Sequence, residues 1–123
     1  MKIIECKTSS TDPNYVTVKT INLKYNKNLL KEYDFKISIN ATSSETQSYL
    51  ELVSESYKNI KENIKEEGIT ISIKEEDFFE FNLKNDLEKT EYVELPNRIK
   101  SYKYNQDIEE VTKELEEEGY ICN

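Results

Sequence analysis

The sequence predicts a single α+β domain of two layers, a mainly antiparallel sheet of about five to seven strands with one long and one shorter helix. Three observations point there. Apolar residues alternate with period two over the first third of the chain and again after Gly68. They recur at helical spacing in only two stretches, about 44–67 and about 107–118. No Pro- or Gly-rich linker divides the 123 residues, a length suited to one domain.

Taken in order, Ile3 and Ile4 open a short strand, and Thr8 to Pro13 reads as a polar break. Val16 and Val18, then Ile21, Leu23 and Tyr25, alternate with a phase change near Lys19-Thr20, which predicts a bulge there if the strand is continuous. Asn26-Lys27-Asn28 is a turn, and Tyr33, Phe35, Ile37, Ile39 and Ala41 mark a half-buried strand. Thr42 with Glu45, or Ser44 with Gln47, forms a capping box for the long helix. Its stripe of Leu50, Val53, Tyr57, Ile60 and Ile64 should pack on Phe35, Ile37, Ile71 and Phe81, and Gly68 should cap its C-terminus.

Beyond Gly68, Ile69, Ile71 and Ile73 form a strand, Glu75-Glu76-Asp77 a turn, and Phe79, Phe81 and Leu83 the next strand. Tyr92 to Leu95 predicts another, and Arg98 to Tyr104 a further one, so that 33–67 and 98–118 would form a loose strand–helix pseudo-repeat. Asp107 with Glu110 caps the last helix, Ile108, Val111 and Leu115 face inward, and Gly119 closes it.

The residues that are missing exclude several chemistries. With no His there is no Ser-His-Asp or Cys-His nucleophile and no imidazole ligand for a metal. Glycines at 68 and 119 alone cannot build a phosphate-cradling loop. Two cysteines fall short of a structural zinc site. No catalytic residue, metal or cofactor is expected. No apolar run reaches the roughly 18 residues of a membrane span, and Glu5 comes too early for a signal peptide. A cytosolic protein with no membrane partner follows as the expectation, with Cys6 and Cys122 as reduced thiols. The alternative, a disulfide closing nearly the whole chain, would need an oxidising compartment, which nothing in the sequence indicates.

The net charge of −8 is unevenly spread: residues 1–41 carry +3 and residues 42–123 carry −11. Such a surface repels nucleic-acid backbone and attracts basic partners. Acids cluster at Glu75, Glu76 and Asp77, and again in the last helix at Glu110, Glu114, Glu116, Glu117 and Glu118. The last three crowd a helix C-terminus, against the macrodipole, which marks that helix as a candidate charge-presenting surface. The expected function is a non-catalytic inhibitor of the immunity or phage anti-defence type. It would occupy the basic nucleic-acid-binding surface of a nuclease or similar protein, with no direct nucleic-acid binding of its own. An opposing pattern is Arg98, Lys100, Tyr102, Lys103 and Tyr104, where cations alternate with aromatics as in single-strand binders or on a protected edge strand. It supports the alternative of a nucleic-acid- or small-ligand-binding module; a structural assembly component is the third reading.

Overall fold

A computed structural model of the protein describes residues 1–41, 47–75, 78–90, 92–96 and 99–123, the side chains of 47–49 excepted. Its elements are β1 (Lys2–Thr11), β2 (Tyr15–Asn26), β3 (Leu29–Ala41), α1 (Gln47–Asn63), β4 (Ile69–Glu75), β5 (Phe79–Asp86), α2 (Ile108–Glu117) and β6 (Ile121–Cys122). The strands form one antiparallel sheet in the order β4-β5-β3-β2-β1-β6. This is the α+β domain that the two periodicities predict.

Register separates the side chains into two faces, because residues directly opposite in a ladder share a face. One face carries Phe35, Ile37 and Ile39 of β3, Phe79, Phe81 and Leu83 of β5, and Ile21 and Leu23 of β2, all buried. Helix α1 lies over its β3–β4–β5 side. Leu50, Tyr57 and Ile60 are buried there, Val53 and Ile64 are partly buried, and the Tyr57 ring lies 4.7 Å from that of Phe81 and 5.6 Å from that of Phe79. The other face is open. Its lysines 7, 24, 36, 74 and 84 are matched by Glu5, Glu32, Asp34, Glu80 and Asp86, with cross-strand pairs at Lys24–Glu32 (3.5 Å) and Lys36–Glu80 (3.5 Å). Each pair stabilises little, but together they leave this face electrically balanced.

Several expectations are corrected. The polar stretch Thr8 to Thr11 continues β1, because its backbone pairs with Val16 to Lys19 of β2; the turn is only Asp12 to Asn14. No bulge occurs at Lys19-Thr20. The register shift lies at Lys24/Tyr25, and it turns Leu30 into the core. The hairpin ends in a two-residue turn with Lys27 and Asn28 both at positive φ (52° and 64°), the geometry that matches strand twist. Helix α1 stops at Asn63, and Gly68 serves the entry to β4 instead of capping the helix. Its φ is +91°, its carbonyl accepts the Asp86 N–H, and Thr90 lies against its Cα. The runs 92–95 and 99–104 form no strand, so the pseudo-repeat is not there. The capping boxes at 42–47 fall outside the described residues and side chains.

The cysteines are also corrected. β6 is only two residues long, yet it sets Cys122 opposite Cys6 across the β1 edge, and the two form a disulfide that spans 116 positions of sequence. Two residues carry no periodicity, so this strand is silent in the sequence.

Two outcomes follow. Removing the bond with Cys6→Ala and Cys122→Ala should lower the unfolding free energy by up to about 4–5 kcal/mol on chain entropy, read as a fall in denaturation midpoint; unchanged stability under reducing conditions would contradict the pairing. Gly119→Ala, with φ +99° and nothing within 4 Å, should cost about 1–2 kcal/mol. Gly68→Ala should cost clearly more, since its new methyl meets the Asp86 carbonyl as well as Thr90.

Candidate functional site

Helix α2 is held at both ends. At its start Asp107 is the N-cap, its carboxylate accepting the N–H groups of Glu109 (2.8 Å) and Glu110 (3.4 Å). The cap is itself bound to the β2–β3 hairpin: Ile108 donates to the Asn28 carbonyl, Leu30 to that of Gln106, and Asn105 to that of Leu30, each at 2.9 Å. At its end Tyr120 N–H donates to the Leu115 carbonyl (3.0 Å) and Gly119 N–H to that of Glu116 (3.1 Å). That pair of bonds is a Schellman motif, closed by the buried side chains of Leu115 and Tyr120. Directly beyond it, β6 pairs with β1 and the disulfide closes.

Ile108, Val111 and Leu115 are buried, which turns Glu109, Glu110, Glu114, Glu116, Glu117 and Glu118 outward. Residues 107–118 carry seven acids against Lys113, so six of the eight excess negative charges of the chain sit on this one capped helix. A fraying last turn would let the backbone that carries them move; the Schellman bonds and Tyr120 hold that backbone in place.

The predicted acidic residues do not form one cluster. Glu110, Glu114, Glu116 and Glu117 lie exposed on α2. Glu118 is paired with Lys100 at 2.5 Å. Glu75 lies on β4, at the sheet edge opposite β6, where it accepts the Ser54 hydroxyl and pairs with Lys58 at 2.9 Å. Glu76 and Asp77 fall outside the described residues. Among those residues no three His, Cys, Asp or Glu side chains are placed to hold a metal ion.

Comparison with protein-family models, with curated proteins and with solved structures finds no match. The site is therefore read from its own chemistry.

The basic-aromatic segment is spent largely on the fold. Tyr102 is buried edge-on against Tyr33, ring centroids 5.0 Å apart, and cannot stack on a base. Lys100 is neutralised by Glu118, and its carbonyl accepts the Tyr33 hydroxyl at 2.7 Å. Lys103 lies over the Tyr92 ring, and Lys31 over that of Tyr104. Arg98 falls outside the described residues. The alternation in this segment comes from Ile99 and Tyr102 being buried under an irregular chain, not from a strand with two faces.

Sequence reading missed one group of polar residues. Thr8, Ser10, Thr17 and Lys19 occupy the helix-side face of β1 and β2, in line with Ile4, Cys6, Ile21 and Leu23. The phase change at Lys19-Thr20 is the signal for them: the strand runs straight, and its inward face turns polar.

Burial shapes the tyrosines. It pushes the Tyr33 hydroxyl up to about 12, opposed in part by its bond with Asn85. Burial, then the Glu114 carboxylate, also raises Tyr102. The unfolded chain loses its Tyr33 proton near pH 10 while the folded chain keeps it, so this contribution is whole below pH 10 and is lost toward pH 12. Denaturation at rising alkaline pH should show the loss, about 2–3 kcal/mol from Tyr33. Tyr33→Phe should make the decline shallower while costing about 1–2 kcal/mol at neutral pH through its lost hydrogen bonds; an equal alkaline slope in the variant would remove Tyr33 as the cause.

Proposed function

We propose that this protein is a non-catalytic inhibitor that acts by binding, presenting α2 to the basic nucleic-acid-binding surface of a target protein such as a nuclease. The observation that carries the reading is the rigid docking of α2, with most of the chain's excess negative charge on its outer side. Carboxylates carried on a pre-formed helix can replace backbone phosphates in a basic groove without the entropic cost of ordering the backbone on binding. Opposite fields also raise the association rate, and the rate falls as salt screens them. The balanced open face of the sheet leaves the acidic field on the helix side, which orients the encounter. An immunity or phage anti-defence role belongs to this proposal, and so does action in the cytosol. No helix among the described residues is long and apolar enough to cross a membrane. Cys6 is fully buried, but Cys122 is only partly so, and its sulfur is the one more open to thiolate attack in a reducing cytosol. The burial of Tyr102 and the pairing of Lys100 count against the alternative of single-strand binding through 98–104.

The test uses the intact protein immobilised as an affinity matrix, offered the DNA-binding fraction of a cell extract. Bound targets should be eluted by duplex DNA and by salt. Glu110→Gln, Glu114→Gln and Glu117→Gln together should weaken binding by one to two orders of magnitude with no loss of fold, since all three are exposed. Glu118 is left unchanged because it holds Lys100. Targets that resist DNA elution and bind the triple variant equally would sink the mimic reading.

A further inference from the structure

Thr8 and Lys19, on the polar half of the β1–β2 inner face, line the floor of a cleft of about 650 Å³, a size typical of small-molecule sites. One wall is the irregular segment around Leu95, Ile99 and Ser101; the other is the end of α2 with Tyr120. Core-facing positions on adjacent strands are normally apolar, as they are at Cys6 and Ile21 one step away. Here they are Thr8 and, directly across the ladder, Lys19.

The charges in the cleft are selective. Lys100 is neutralised by Glu118 at 2.5 Å. Lys19, the other cation of the cleft, is half-buried and, among the described residues, forms no ion pair. Its ammonium, on the strand position opposite Thr8, is therefore available to an anion. Ser101 Oγ accepts the Leu95 N–H at 2.8 Å, which leaves its own proton to donate. The exposed Tyr92 ring, with the edges of the largely buried Leu95 and Ile99, supplies an apolar surface, while Glu94 lines the same cleft and repels additional negative charge.

We propose that this cleft binds a small organic monocarboxylate, its carboxylate on the Lys19 ammonium and the Thr8 hydroxyl and its apolar body against Leu95 and Ile99. Glu118 lines the cleft, but Glu110, Glu114 and Glu117, which carry the inhibitor reading, do not, so the site stands or falls independently of that reading.

The experiment is an amide chemical-shift titration of the intact protein with phenylacetate, and in parallel with 2-phenylethanol and phenyl phosphate. Phenylacetate should give saturable shifts centred on Thr8, Lys19, Ser101 and Tyr120. Lys19→Met should weaken it about tenfold or more, Lys19→Arg should restore binding in part, and Lys24→Met, on the open face, should leave it unchanged. Lys19→Gln provides a second neutral variant should Lys19→Met lose its dispersed spectrum. The neutral alcohol and the phosphate should both bind more weakly. No saturation, a shift map elsewhere, equal binding by a folded neutral variant, or tighter binding of phenyl phosphate would each overturn the proposal.

Discussion

Anchoring of α2 to the sheet at both ends is the constraint on which the rest of this molecule depends. An amphipathic helix of ten residues with no basic residue in its last turn is a poor helix by itself, since nucleation is costly and its macrodipole faces like charge. Burial of Ile108, Val111 and Leu115 offsets that cost. The hairpin at Asn28 to Leu30 fixes where the helix begins, and the Schellman motif, Tyr120 and β6 fix where it stops. The disulfide closes the arrangement covalently by tying the end of the chain to its first strand. Unfavourable local electrostatics are thus held in place by packing.

The same anchoring divides the molecule electrostatically. Cross-strand pairs neutralise the open face of the sheet, while the helix side keeps the excess acid. Because α1 covers β3 to β5 and α2 reaches toward β6, the helix layer has a gap, and the strand residues beneath it are polar. The cleft therefore follows from two helices that do not fill the layer above the sheet, whereas the acidic ridge is set by the sequence of α2 itself. Tyr120 serves both, closing the helix cap with Leu115 and lining the cleft.

Legibility in the sequence follows the length of the periodic signal. Four strands, β2 to β5, and both helices were legible, because each repeats its pattern over several residues, whereas β1 was marked only by Ile3 and Ile4. The cap at Asp107 and the left-handed residue at Gly119 were legible as well, since their chemistry is local. Segment 99–104 misled, because buried Ile99 and Tyr102 sit three apart under an irregular chain, and intervening lysines imitate a strand. Thr8 to Thr11 misled in the opposite direction, since hydroxyl residues suit turns and strands alike and only the pairing with β2 decides between them.

By itself the sequence determined the two-layer class, the stripe of α1, the inward triad of α2 and the concentration of acid on the last helix, all properties of neighbouring residues. The tertiary structure alone decided that Cys6 meets Cys122, that Glu75 lies far across the sheet from α2, that Glu118 takes Lys100, and that Lys19 faces a cleft. Each of these joins residues distant in the chain, through pairings such as Cys6 with Cys122 whose partner no local periodicity encodes.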